Sequence, residues 1–196
     1  MKMLLKRLFT TVDVKGTRNY LDSQKKFEIF RTILYFAVSI SLFVAGYLQT
    51  GEKTNLLTIV AILGCLPASK SAVSAIMYLR FDSCDHRTAA QIEEHSGGLG
   101  CLYDMVFTTY KKNYRISHLA VRGGCVCGFS ENGGFEESDF YQHIDHILKM
   151  DGHQGVTVKI FTNLSKYVER LEQMKALAPE EDRTGAILST LKSVAL

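Results

Sequence analysis

The sequence predicts a transmembrane helical hairpin joined to a small α/β domain. Two long apolar runs, residues 29–48 and 56–79, are separated only by the polar link 49–55. A helix needs roughly 20 mostly apolar residues to cross about 30 Å of hydrocarbon, and both runs reach this length. We therefore assign residues 29–81 to the hairpin and residues 82–196, which have the size of one small domain, to a separate folded unit.

The pattern of residues 1–28 predicts a basic amphipathic leader on the cytosolic side. The alternative is an ordinary solvated segment. Up to Arg31 the chain holds eight Lys or Arg and three acids, whereas the link offers only Lys53 and Glu52. Because basic residues are retained on the cytoplasmic side, both termini are expected in the cytoplasm of a plasma-membrane, multi-pass protein. Apolar residues recur in the leader at helical spacing, as in a helix lying on a membrane surface: Leu4, Leu5, Leu8, Phe9 and Val12.

Charge and cysteine content give no support to nucleic acid binding or to a secreted, disulfide-bonded protein. The formal net charge of +3 comes largely from the leader and reflects topology, so nucleic acid binding is not indicated. The five cysteines are odd in number and include Cys65 within the second apolar run, which argues against a secreted disulfide framework. A reduced, cytosolic environment for the α/β domain follows.

The second apolar run contains a proline and a charge, Pro67 and Lys70. Proline removes a backbone hydrogen bond and predicts a kink. An intramembrane charge is a candidate functional group, although Lys70 lies near the inner end of the run, where its stem can lift the ammonium into the headgroups. The alternative is an oligomeric interface, as in a membrane effector, because small residues that permit close helix approach surround this point: Gly64, Ala68, Ser71, Ala72 and Ala75.

The C-terminal part has the element order α-β-β-β-α-β-α. Strands rich in β-branched and aromatic residues alternate with amphipathic segments, and short polar or glycine turns favour hairpins between the first three strands. Asp85 and Asn163 are predicted helix caps, and Pro179 ends a helix. The predicted elements are a helix at 86–95, strands at 103–110, 116–121 and 125–129, a helix at 135–149, a strand at 156–161, and helices at 164–174 and 184–194.

This order is similar to the core of the PD-(D/E)xK nuclease, or restriction-endonuclease-like, fold. In that family an Asp at the start of one strand and an acid-x-Lys pair on the next hold a metal that activates water. The resemblance implies Asp104 as the first ligand, with Glu93 or Glu94 assisting from the preceding helix. The strands that follow contain no acid-x-Lys pair. We therefore expect a fold relative without the chemistry more than an active enzyme.

A zinc site is a second hypothesis for this domain. Cys125 and Cys127 are two residues apart on a strand and share a face, and His143 and His146 lie about one helical turn apart on the following helix. Two thiolates and two imidazoles form a legitimate zinc set. The alternative is half-buried packing for the cysteines and a polar helix face for the histidines.

A cluster of cations suggests a pocket for a small anionic ligand, with a solvated basic edge as the alternative. The residues are Lys111, Lys112, Arg115 and Arg122. A dinucleotide loop is not expected, because Gly98-x-Gly100 precedes a strand, whereas a phosphate-cradling loop follows a strand and opens a helix.

The whole chain, and most closely the stretch 55–71, resembles small uncharacterised bacterial two-span membrane proteins with a cytosolic α/β domain. Some are named as O-linked N-acetylglucosamine transferases, but no sugar-nucleotide loop is recognisable here, so the resemblance implies architecture only. We expect a membrane-anchored interaction or ligand-sensing module that binds a protein partner or a second copy, without evident catalysis. The alternatives are a membrane-tethered, metal-dependent nuclease-like hydrolase and an oligomerising membrane effector.

Overall fold

The computed structural model describes residues 15–132, 137–177 and 183–196, and these form two compact units. One unit contains residues 21–82, and the other contains residues 15–20 together with residues 83–196. The predicted leader helix at residues 4–12 and the predicted helix stop at Pro179 lie outside the described residues. The helices are α1 (Tyr20–Thr50), α2 (Leu56–Leu79), α3 (His86–His95), α4 (Glu137–Met150), α5 (Leu164–Lys175) and α6 (Thr184–Val194), and the strands are β1 (Gly100–Thr108), β2 (Asn113–Arg122), β3 (Cys125–Phe129) and β4 (Thr157–Phe161).

Helices α1 and α2 are both long and apolar enough to cross a membrane. Large apolar side chains remain exposed along both helices, as shown by Leu48 at 78% and Leu66 at 68%. The two predicted apolar helices are thus confirmed. The boundary predicted at residue 28 falls inside α1, because the helix begins at Tyr20, before the apolar run that starts at residue 29.

The two helices of the first unit pack along a line of small residues. On α2 the buried positions follow a spacing of three, four and seven residues, which is the seam of two closely packed helices: Ala61, Ala68, Ser71, Ala75 and Tyr78. A Cβ atom added to Gly64 would lie 2.7 Å from Ser39 Oγ of α1. Of the small residues predicted to line an oligomeric interface, Ala68, Ser71 and Ala75 are therefore buried in the seam within one chain, whereas Gly64 and Ala72 are half-buried.

Several polar side chains lie at the same seam, where α1 contacts Ser71 of α2. The Arg31 guanidinium donates to Ser71 Oγ at 3.1 Å and forms an ion pair with the buried carboxylate of Glu28. Thr32 Oγ1 donates to the same Ser71 Oγ at 2.9 Å. These hydrogen bonds fix the register of the two helices, because a shift by one residue would separate the partners.

Pro67 and Lys70 do not join this seam. Helix α2 runs without interruption from Leu56 to Leu79 and includes Pro67, so the proline does not end the helix. Both Pro67 and Lys70 are exposed. The outward position of Lys70 is compatible with the predicted extension of its ammonium toward headgroups.

The second unit contains the predicted order α-β-β-β-α-β-α, followed by the predicted last helix α6, and it has one four-stranded sheet. Strands β1, β2 and β3 form an antiparallel meander, and β4 pairs in parallel with β3. The parallel pairing follows from the crossover through α4, since a helix between two strands returns the chain in the same direction. Both predicted caps are present: Asp85 accepts from Arg87 N at 3.0 Å, and Asn163 accepts from Lys166 N at 3.2 Å.

Each face of the sheet is covered by two helices and holds one apolar core. Adjacent strand residues alternate between the faces, so Val126 belongs to the first core and Cys127 to the second. The first core receives its helical residues from α4 and α6: Phe140, Ile144, Leu148, Ile187 and Leu191. The second receives them from α3 and α5: Ile92, Tyr167, Leu171 and Met174.

Candidate functional site

The β1–β2 hairpin contains one level at which strand alternation is broken. In a regular strand, residues three apart point to opposite faces. Leu102 and Met105 nevertheless both belong to the first core, and so do Ile116 and Leu119 on the neighbouring strand. The two residues between each pair are therefore turned away from that core at the same level of both strands, which places four polar or aromatic side chains together: Tyr103, Asp104, Ser117 and His118.

Asp104 has the backbone geometry that produces this break. Its φ of +54° lies in the left-handed region, which a non-glycine residue rarely adopts, although Asp tolerates it better than most. The pairing of β1 with β2 flanks this residue, with Tyr103 opposite His118 and Met105 opposite Ile116. The Asp104 carboxylate is buried and accepts a 2.7 Å hydrogen bond from Cys84 N.

Glu131 lies two residues beyond β3 and is the centre of a polar cluster. Its carboxylate accepts from Asp85 N at 3.1 Å, from Ser117 Oγ at 3.3 Å and from the Arg115 guanidinium at 2.5 Å. The Cys84 thiol lies 3.6 Å from the same carboxylate. We call the following residues the Cys84 cluster: Cys84, Asp104, Arg115, Ser117 and Glu131.

The Cys84 thiol is held in its protonated form. Burial, and then the negative charge of Glu131, raise the pKa of Cys84 to about 12. The thiolate is the nucleophilic form of cysteine, so at neutral pH this side chain is unreactive. The cluster thus uses Cys84 as a buried polar contact, and it does not have the properties of a cysteine nucleophile.

His118 lies beside the cluster with its imidazole fully buried. Nδ1 is 2.6 Å from the hydroxyl of Tyr167, and the ring meets Tyr103 edge-on with 4.5 Å between ring centres. Among the described residues, Nε2 has no hydrogen-bond partner. Burial lowers the pKa of His118 to about 3, so the ring is neutral at physiological pH and is a weak base there.

Of the predicted catalytic residues, only Asp104 belongs to this cluster. Glu93 forms an ion pair with Arg18 at 2.9 Å on the surface, and Glu94 is exposed on α3. The second carboxylate near Cys84 comes instead from Glu131. The sequence signal for it is weak, because Glu131 follows the last strand residue of β3 in a short polar segment.

The four predicted anion-binding cations do not converge. Arg115 is in the Cys84 cluster, while Lys111 lies 3.8 Å from Asp139 and the Lys112 ammonium sits 5.2 Å from the ring centre of Tyr114. Arg122, at the other end of β2, donates to the carbonyl oxygens of Leu177 and Gly98. Each cation therefore has a local contact, and no shared pocket is formed by the four.

The predicted zinc set is also separated by the sheet. Cys127 and the half-buried Cys125 belong to the second core, which α3 and α5 cover. His143 and His146 are on α4, which packs its apolar side into the first core on the opposite face. Across residues 15–132, 137–177 and 183–196, no group of three or more His, Cys, Asp or Glu side chains is arranged to hold a metal ion.

Comparisons with protein-family models, with curated proteins and with solved structures find no match for this chain. The cluster contains two carboxylates, an arginine and a thiol that are bound mainly to each other, and the neighbouring histidine is neutral. Such an arrangement stabilises one conformation of the hairpin and offers no activated nucleophile or base.

Proposed function

We propose that this protein is a membrane-anchored module whose α/β domain, on the cytoplasmic side, binds a protein or a small ligand without catalysing a reaction. The observation that carries the proposal is the contrast between its two units. Helices α1 and α2 present long apolar surfaces suited to lipid, whereas the second unit has two well-packed cores. The protonation states of Cys84 and His118 give no support to nucleophilic or acid–base chemistry.

Labelling with a membrane-impermeant maleimide in intact cells tests anchoring and orientation. Glu52→Cys places a thiol in the link between α1 and α2, and Tyr110→Cys places one at a fully exposed position between β1 and β2. We expect the Glu52→Cys chain to react in intact cells and the Tyr110→Cys chain to react only after permeabilisation. The unmodified chain gives the background from its own five cysteines.

The opposite labelling pattern would reverse the orientation, and release of the chain by alkaline carbonate would remove the membrane anchor from the proposal. Native mass spectrometry of the full-length chain, released from detergent micelles, then distinguishes the kinds of partner. A small adduct on the chain supports ligand sensing. A complex that is heavier by one further chain of 22.0 kDa supports self-association.

A nuclease-like hydrolase of restriction-endonuclease-like fold is a second candidate, supported by one observation. Asp104 on β1 and Glu131 just beyond the end of β3 both approach Cys84, which gives two carboxylates at one place in a domain with the α-β-β-β-α-β order. A metal-dependent hydrolase needs such a pair to hold the cation that activates water. Against it, Arg115 occupies the carboxylate of Glu131.

Plasmid cleavage in the presence of Mg²⁺ or Mn²⁺ separates the two candidates. The leading proposal expects no cleavage by the full-length chain. Asp104→Asn keeps an oxygen acceptor and tolerates the left-handed backbone. Cleavage by the unmodified chain that disappears in this variant would establish the hydrolase instead.

A further inference from the structure

A basic pocket opens between β4 and α5 on the face of the sheet away from α4 and α6. Its volume is about 370 Å³. The residues that line it are Lys159, Phe161, Lys166, Glu169, Arg170 and Gln173. None of these residues belongs to the Cys84 cluster or to the four cations Lys111, Lys112, Arg115 and Arg122.

Periodicity explains why these side chains meet. Lys159 and Phe161 are two residues apart on β4, so they point to the same face of the sheet. The lining residues of α5 recur at intervals of three and four, which places them on one side of the helix. The opposite side of α5 is fixed in the second core by Tyr167 and Leu171, and this orients the polar side toward the pocket.

The pocket has an excess of positive charge. It has three cations, Lys159, Lys166 and Arg170, and one carboxylate, that of Glu169. Glu169 accepts from the Gln173 amide at 3.5 Å, and the same amide group accepts from Arg170 at 3.0 Å. In the part of the chain that the structure describes, no ion pair includes any of the three cations, in contrast to Lys175 on the same helix, which pairs with Glu172 at 3.0 Å.

One wall of the pocket is aromatic. The Phe161 ring is half-buried, and the Lys159 ammonium lies 5.1 Å from its centre. An aromatic face next to cations suits a ligand that has both a flat ring and a negative group, because the ring can stack while the charge is neutralised. Arg170, which has a planar group with several donors, is the natural contact for a phosphate.

We propose that this pocket binds a phosphomonoester that also carries a flat ring, with Lys159, Lys166 and Arg170 holding the phosphate and Phe161 contacting the ring. The inference rests on the ligand-binding form of the proposed function and names the class of ligand. A nucleoside monophosphate carries both groups, whereas a lipid headgroup supplies a phosphate without the ring.

Calorimetric titration of the full-length chain in uncharged detergent tests the assignment, with adenosine 5′-monophosphate and inorganic phosphate as probes. We expect the nucleotide to bind and Arg170→Gln to weaken it at least tenfold. Lys175→Gln is the matched control, since it removes the same charge from the same helix outside the pocket and is expected to change the affinity less than twofold. Phe161→Leu is expected to reduce nucleotide binding while leaving the weaker phosphate binding in place.

Three results would overturn the assignment. The first is no binding of either probe by the unmodified chain, and the second is equal weakening by Arg170→Gln and Lys175→Gln, which would indicate a general charge effect. The third is binding only to vesicles that contain phosphatidylglycerol, which would assign the cations to lipid headgroups. Membrane anchoring and orientation are measured separately by maleimide labelling, so failure of the pocket and failure of the proposed function are distinguishable.

Discussion

His118 makes the stability of the second unit depend on pH. Its folded pKa of about 3 lies below the ordinary value of 6.5, so between these values the unfolded chain binds a proton that the folded chain does not. The contribution of His118 to folding is therefore full above pH 6.5, and the free energy of unfolding falls by about 1.4 kcal/mol for each pH unit between 6.5 and about 3. The physical cause is burial of the ring among Tyr103 and Tyr167, which would strip an imidazolium of its hydration.

We predict that His118→Leu removes this part of the acid sensitivity. Urea unfolding of the full-length chain in detergent, followed by circular dichroism because the chain has no Trp, is measured at pH 7.5 and pH 5. The loss of unfolding free energy between the two pH values should be about 2 kcal/mol smaller in the variant. An equal loss in both proteins would show that other groups cause the acid sensitivity.

Cys84 is predicted to resist alkylation in the folded chain. With a pKa of about 12, roughly 0.01% of the thiol is ionised at pH 8, and only the thiolate reacts with iodoacetamide. Glu131→Gln removes a negative charge beside the sulfur while Arg115 remains, so the pKa falls and alkylation accelerates. Mass spectrometry of peptides after timed labelling measures the rate, and a rate unchanged by the substitution would contradict the electrostatic cause.

At the scale of elements, the left-handed backbone conformation of Asp104 in β1 determines which side chains the β1–β2 hairpin buries. Asn, unlike Ala, shares the tolerance of Asp for this backbone and retains an acceptor for Cys84 N. We predict that Asp104→Asn costs less than about 1 kcal/mol of unfolding free energy, whereas Asp104→Ala costs about 2 to 3 kcal/mol through backbone strain and a buried donor without its acceptor. An equal loss of unfolding free energy in the two variants would contradict both the strain and the hydrogen-bond explanations.

The seam between α1 and α2 is predicted to tolerate no side chain at Gly64. A Cβ there would lie 2.7 Å from Ser39 Oγ, so Gly64→Val forces the helices apart and costs about 1 to 3 kcal/mol. Cys65→Val, at the next position and exposed, is the control. Thermal unfolding in detergent, read by circular dichroism, should show a lower midpoint for the first variant and little change for the second.

At the scale of the whole molecule, segments far apart in the sequence cover the outer edge of β1. Tyr103 N donates to Gly16 O at 2.8 Å, and Leu196 N donates to Val106 O at the same distance. An edge strand with free backbone groups pairs readily with other chains, so this covering protects the sheet from aggregation. The residues just before α1 are thereby part of the second unit.

Gly16→Val is predicted to expose this edge. The glycine has a φ of +82°, and an added Cβ would lie 2.7 Å from the Leu102 side chain, so the segment must detach or shift. Hydrogen exchange of the β1 amides should accelerate. Gly51→Val is the matched control, because Gly51 also has a positive φ, of +69°, but has no atom within 4 Å of the added carbon.

The two apolar helices, their short link and the order of elements in the α/β domain are predictable from the sequence, because local periodicity and turn residues specify these features. It also located both helix caps, Asp85 and Asn163, since capping depends on residues close in sequence. Which polar side chains meet depends on how distant elements pack, and local patterns in the sequence do not specify this. Sheet packing places both Asp104 and Glu131 against Cys84, and the intervening sheet separates the cysteines from the histidines.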